Sequence, residues 1–183
     1  MPDVVDLIME DHREVERLFE ILKTEPSQRL NTLPVLSALL VAHSRAEEAA
    51  VYPAAQREIG NDEVAHSQEE HILVEQLLER LNSTDVESKQ FDTLLRQLED
   101  AVNEHVEEEE SSVLPAMRDQ MEQQRREELG ESFADARAEH LGEMPGEATK
   151  EELLRQAKNL GISGAQGMEK DELRRELQKR GKK

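Results

Sequence analysis

The chain repeats itself, and the repeat constrains what it can fold into. His43-Ser44-Arg45-Ala46-Glu47-Glu48-Ala49-Ala50-Val51-Tyr52-Pro53-Ala54 aligns with His105-Val106-Glu107-Glu108-Glu109-Glu110-Ser111-Ser112-Val113-Leu114-Pro115-Ala116, in the shared frame H-x3-E-E-x2-V-x-P-A. A weaker pair precedes each copy: His12, Val15, Glu16, Leu18 and Glu20 recur as His71, Val74, Glu75, Leu77 and Glu79. The order His, His-x3-Glu, His, His-x3-Glu places one unit on each of four segments. Two similar pairs of segments can then bring all four units to one centre.

Those segments are helical in period, at about residues 4–24, 33–57, 62–82 and 87–123, and no period-2 run is long enough for a strand. Gly60-Asn61-Asp62 and Asn82-Ser83-Thr84-Asp85 are polar breaks of a length suited to antiparallel neighbours. Pro34 suits the first turn of the second helix, whereas Pro53 and Pro115 fall inside helical segments and predict kinks or local ends. A short fifth helix over about 131–141 would pack outside. The expected fold is all-α, an up-down four-helix bundle over 1–143. Met144-Pro145-Gly146-Glu147 forms a breaker before a small helix-turn-helix-like tail at 147–181.

Helical-wheel arithmetic at about 100° per residue separates inward from outward polar groups. Leu36, Leu40, Ala46 and Ala50 cluster around His43, with Glu47 about 40° away; Leu94, Leu98, Val102 and Ala116 do the same around His105, with Glu109 again near 40°. His12 and His71 also face inward, while Glu16 and Glu75 lie at the stripe's edge and His66 faces water. Buried carboxylates are costly unless paired with positive charge, and no Lys or Arg lies on these inward faces. A pair of cations would satisfy the whole set, with imidazole nitrogens and bridging carboxylates leaving coordination positions free. Such ligands suit iron or manganese. The chain has no cysteine, which removes thiolate catalysis, iron–sulfur clusters and thiolate zinc sites. Tyr52 follows Glu47 by five residues, so only a local distortion before Pro53 would turn it inward. The acidic run 107–110 reads as a solvated face apart from Glu109.

This ordered set resembles the hemerythrin-like HHE cation-binding family over about residues 3–125. The resemblance implies a four-helix bundle around a non-haem di-iron centre, probing small ligands such as oxygen, peroxide or nitric oxide. The family's ligands would fall on His12, His43, Glu47, His71, His105 and Glu109, with Glu47 and Glu109 as bridges and an oxo or hydroxo group between two iron ions. Manganese or zinc are possible substitutes, and Tyr52, Glu16 and Glu75 are secondary ligand candidates. No catalytic or cofactor-binding residue is expected apart from the metal ligands. Oxygen-carrying hemerythrins have a further histidine one turn from the third-helix ligand and an aspartate ending the fourth-helix motif. Here those positions are Ser67, Glu75 and Glu109, which separates this chain from the carriers.

The net charge of −19 excludes a general nucleic-acid or anionic-membrane binder. The charge is uneven, however: residues 147–183 hold ten Lys or Arg against seven Asp or Glu. This tail resembles the small Rho-N-terminal/SAP-like modules, and its basic end, Lys179-Arg180-Gly181-Lys182-Lys183, is compatible with a nucleic-acid or protein partner. Gly161, Gly164 and Gly167 follow a helix rather than a strand, so they do not form a dinucleotide loop. No membrane-length apolar run and no basic N-terminal region occur, so the cytoplasm is the expected location. The leading functional expectation is a di-iron protein that binds, senses or reacts with small oxidants under oxidative or nitrosative stress. The alternatives are a catalase- or peroxidase-like enzyme at the same site, and a regulator or scaffold acting through the tail.

Overall fold

A computed structural model describes residues 2–58 and 61–181, with the side chains of Glu58, Asn61 and Asp62 outside the description. Among the described residues every regular element is helical. In chain order these are α1 (Val4–Thr24), α2 (Arg29–Ala46), α3 (Tyr52–Glu58), α4 (Asn61–Asn82), α5 (Lys89–Glu108), α6 (Leu114–Gln120), α7 (Gln123–His140), α8 (Lys150–Asn159) and α9 (Lys170–Arg180). Gly60 of the expected 60–62 break and the basic residues Lys182 and Lys183 lie outside the described residues.

Four rods form the bundle. α1 is the first and α4 the third; α2 runs into α3, and α5 into α6, to make the second and fourth. α1 packs on α2, α2 on α4, α4 on α5 and α5 on α1, which closes the ring. Local chemistry starts these helices. Asp3 accepts a hydrogen bond from the Val5 amide at 3.0 Å, and Ser88 accepts one from the Phe91 amide at 3.1 Å, so each satisfies an orphan donor of a first turn.

The second rod begins at Arg29, four residues earlier than periodicity suggests, and Pro34 therefore sits inside α2. Arg29 anchors that start. Its guanidinium donates to the Leu22 carbonyl at 3.0 Å and the Val86 carbonyl at 2.9 Å, and pairs with Asp92 at 2.7 Å.

The rods containing Pro53 and Pro115 do not end there but continue as helix. Each passes through one π-helical turn, at Glu47–Val51 and Glu109–Val113, where the amides of Tyr52 and Leu114 reach back five residues to the carbonyls of Glu47 and Glu109. A π turn accommodates one extra residue, which rotates everything beyond it relative to a regular α-helix.

The fifth helix is longer than the sequence pattern indicates. α7 covers 123–140, lies along α1 and α2, and buries Leu129 and Phe133 completely or nearly so. Gly130 makes this approach possible, since a Cβ there would stand 2.2 Å from the Pro2 carbonyl oxygen.

The apolar interior divides in two. One cluster spans Val15, Phe19, Leu36, Leu78, Phe91 and Leu98; the other holds Ile8, Val51, Ala55, Leu114, Met117 and Phe133. A polar layer separates them. A third apolar cluster, Ile72 with Leu153, Ala157, Leu173 and Leu177, attaches α8 and α9 to the side of α4.

Candidate metal centre

The polar layer is built from one histidine on each of α1, α2, α4 and α5, together with the first glutamate of each π turn. His12, His43, His71, His105, Glu47 and Glu109 are all buried, with no more than 4% of any residue exposed. They fall into two clusters sharing Glu47. His12, His43, Glu47 and Glu109 each bring one donor atom within 4.8 Å of all the others, and so do Glu47, His71 and His105. Inside the clusters, His43 Nε2 stands 3.3 Å from Glu47 Oε2, and His71 Nε2 3.2 Å from the same oxygen. His71 and His105 bring their Nε2 atoms to 3.2 Å. A 3.2 Å edge suits two nitrogens held at about 2.1 Å from one ion, at an angle near 100°.

The donor set fits a cation on a further observation. The Nε2 atoms of His12 and His43 and all four carboxylate oxygens of Glu47 and Glu109 are buried without a hydrogen-bond partner. Leaving six such atoms unsatisfied in a dry interior is costly, and metal ligation satisfies them together.

Outside the inner ring, every histidine turns its Nδ1 to a carboxylate. Asp11 stands 3.1 Å from His43, Glu70 3.0 Å from His105, Glu110 2.9 Å from His12 and Glu48 3.5 Å from His71. Carboxylates in this position orient an imidazole and raise its basicity as a ligand. The pairing follows the sequence repeat. The acid preceding the histidine on an odd rod serves the next rod (Asp11 to His43, Glu70 to His105). The acid following the inner glutamate serves the other odd rod (Glu48 to His71, Glu110 to His12). Wheel analysis missed these four because each points across to a neighbouring helix. The doubled acid in H-x3-E-E was the available signal, and Glu110, expected to be solvated, belongs to this outer shell.

One buried cation, Arg45, lies behind the inner cluster. It is 2% exposed, pairs with Glu48 at 3.2 Å and Glu75 at 2.8 Å, and so faces the outer acids rather than the inner cluster. Arg137 of α7 similarly pairs with Asp11, while Phe133 sets its ring edge-on to His43, 5.8 Å between centroids.

The remaining sequence candidates separate clearly. Tyr52 is brought in: the π turn swings it inward, and its hydroxyl lies 3.0 Å from His71 Nε2 with the rings stacked. Leu114 occupies the equivalent place in the second copy. Glu16 is not brought in, because it pairs at the surface with Arg13 at 2.7 Å. Glu75 is held outside by Arg45 and the Gly146 amide. His66 is 44% exposed on its side chain and binds Glu108 at 2.8 Å, and His140 binds Glu143 at 2.9 Å.

Charge sets the protonation of the metal-free centre. Burial lowers the His43 pKa, but the nearby Glu47 charge and the hydrogen bond to Asp11 outweigh it and carry it to about 10. His71 rises to about 9 for the same reason, with Glu47 and Glu48 overcoming desolvation. Burial favours a neutral Glu47, yet His43 and His71 hold it well below the usual carboxylate range. Tyr52 is pushed well above its ordinary value, first by burial and then by the charges of Glu47 and Glu109.

Comparison with known proteins agrees with this centre. Residues 3–117 match the Hemerythrin HHE cation binding domain. The chain is also 28% identical over 149 residues to a protein of Nostoc sp. (strain PCC 7120 / SAG 25.82 / UTEX 2576) named DNA nickase. That alignment takes in 80% of this chain but 42% of the relative, so the chain spans less than half of the relative's length. No solved structure matches the chain significantly. The matched stretch runs through all four rods and every inner histidine and glutamate, and the chain belongs to the hemerythrin HHE cation-binding domain family.

Proposed function

We propose that the chain binds two iron ions, one in each cluster with Glu47 between them, and uses them to bind or react with small oxidants such as oxygen, peroxide or nitric oxide. The observation that carries this reading is the set of six buried ligands converging from all four rods, with six of their donor atoms, on His12, His43, Glu47 and Glu109, left without a hydrogen-bond partner. Iron would supply redox equivalents and free coordination positions; the protein supplies a dry, oriented cage. Glu47 bridges the clusters, and Glu109 closes the His12 side. The Tyr52 hydroxyl, kept protonated in the metal-free chain, stands 3.0 Å from His71 Nε2 as a hydrogen-bond donor on that side.

Access favours a small partner. A crevice between α2 and α4 of about 10 Å³, room for roughly one water, reaches His71 past Val41, Val74 and Leu78. Metal analysis after loading with ferrous iron, followed by visible absorption in air, tests the reading. Two irons per chain and an oxygen-dependent charge-transfer band are expected; no bound iron would overturn it. Oxygen evolution from peroxide then separates turnover from sensing, with loss of evolution in Glu109→Ala assigning turnover to this centre.

A second reading concerns the tail, retaining its resemblance to Rho-N-terminal/SAP-like modules. An open groove of about 700 Å³ beside α4 and α9 is lined by Arg80, Arg175 and Lys179 with Ser83 and Thr84, and also by the acidic Glu79, so three cations face it against one carboxylate. The relative named DNA nickase makes nucleic acid the partner to try. Cleavage at the histidine cluster is not part of this reading, because ligands this deeply buried are out of reach of a duplex backbone. Anisotropy with labelled DNA at two salt concentrations tests it; binding that weakens with salt supports the surface, and none at low salt overturns it.

A further inference from the structure

We propose that α8, the first helix of the tail, is a working part of the metal centre: Gln156 and Asn159 position Glu48, and through Glu48 they set His71. This inference rests on the metal-binding reading above.

Glu48 follows the bridging Glu47 and is 1% exposed. Its carboxylate lies 3.5 Å from His71 Nδ1. The Gln156 amide donates to it at 3.1 Å to each oxygen, and Gln68 donates at 2.7 Å. Asn159 takes hold of the same residue by its backbone. Glu48 sits in the π turn, where its carbonyl would look five residues ahead for a donor and meets Pro53, which has no N–H. The Asn159 side-chain amide donates to that carbonyl at 3.4 Å and to Gln68 Oε1 at 2.9 Å. Gln156 and Asn159 are 2% and 3% exposed, so these bonds are made away from water.

The pattern along α8 is specific. Glu152, Gln156 and Asn159 recur at helical spacing on one buried face, and Glu152 reaches toward Arg45 at 3.8 Å. Leu153 and Ala157, one position on, form the apolar attachment to Ile72 and α9. Apolar packing alone would dock this helix; the polar stripe is a further feature, with Gln156 and Asn159 on Glu48 and Glu152 toward that glutamate's partner Arg45.

The repeat supplies an internal control. Glu110 is the counterpart of Glu48, 2.9 Å from His12, yet its side chain is 25% exposed and its other partner is the solvent-facing Arg13. Water can replace Arg13. Glu48 also keeps Arg45 at 3.2 Å and Gln68 at 2.7 Å, but all three partners are buried and water cannot take the place of Gln156, so the two halves of the centre depend on their outer partners to different degrees.

Cobalt(II) titration with its visible ligand-field bands tests this on the full chain. Gln156→Met keeps the side chain's length and removes its donors. We expect two equivalents in the wild type, with one weakened about 10- to 100-fold in Gln156→Met and its bands shifted. Arg13→Met should shift neither equivalent more than about threefold, as expected for an exposed pair. Equal affinities and spectra in wild type and Gln156→Met would overturn the inference. If the wild type takes up no cobalt, the metal reading falls and this inference falls with it. Should Gln156→Met fail to fold, wild-type hydrogen exchange decides. Loading must slow exchange of the α8 amides severalfold, because coupling between docking and metal binding is reciprocal; unchanged exchange would refute the coupling.

Discussion

Glu47 contributes to both clusters, so its replacement is expected to damage more than one half of the centre. In Glu47→Gln, calorimetric titration should show both cation equivalents weakened; Glu109→Gln should weaken the His12 side most, since Glu109 Oε2 lies 3.5 Å from His12 Nε2 and 3.7 Å from His105 Nε2. Asp11→Asn leaves the inner ligands untouched and removes a charge behind His43; a loss of about 10- to 100-fold in metal affinity is expected. These residues differ in how visible they are in the sequence. His12, His43, Glu47, His71, His105 and Glu109 stand out because each shares an apolar face with its own helix's core residues. Asp11, Glu48, Glu70 and Glu110 do not, because a wheel drawn about one axis carries no information on the neighbouring rod. Tyr52 fell between the two cases: its depth depends on a π turn that no period in the side chains announces.

That π turn is also where element-scale reading of the sequence was weakest. The four long helices follow from apolar spacing, but Pro53 and Pro115 point only to an irregularity, without its type. Shortening the turn should show what it does. Deleting Ala49 is expected to restore α-helical geometry with Tyr52 four residues after Glu47, about 40° round the helix from it, so Tyr52 should stay beside His71 and tyrosine-dependent spectral features on metal loading should persist. α7 is longer than its apolar pattern indicates because residues 123–128 are polar all round and only Leu129 and Phe133 announce its contact with the bundle. Its docking depends on bare backbone at Gly130. In Gly130→Ala the new methyl meets the Pro2 carbonyl, and a loss of about 1–3 kcal/mol is expected, read as a lower thermal midpoint.

Stability of the whole molecule should respond to metal and to pH together. Without cations, the centre is held by His43 and His71 as imidazolium ions beside Glu47. Their folded-state pKa values, about 10 and 9, lie above the ordinary 6.5, so the stabilisation is complete below about pH 6.5 and is lost as pH climbs through 9 and 10. The metal-free protein should therefore melt earlier as the solution is made alkaline from neutrality. The loaded protein, whose imidazoles are neutral ligands, should hold its midpoint over that range and melt higher throughout. Thermal scans with and without chelator at pH 6, 8 and 10 check both statements. No helix among the described residues is long and apolar enough to cross a membrane. The tail's lateral attachment to α4 was not legible beforehand, since Gln156 and Asn159 look like ordinary surface residues until α2 is placed opposite them.

Arg13, Glu110 and His12 form a line of polar atoms from open water to the interior, at the opposite side of the centre from the crevice beside Val41 and Val74. If the centre handles small oxidants as proposed, such a layout would give the reaction chamber two doors. Protons would be delivered along the first, and a diatomic or peroxide guest would enter by the second, so neither traffic obstructs the other. Blocking the crevice with a bulkier Val74 would then starve the chamber of guests while leaving its proton supply intact.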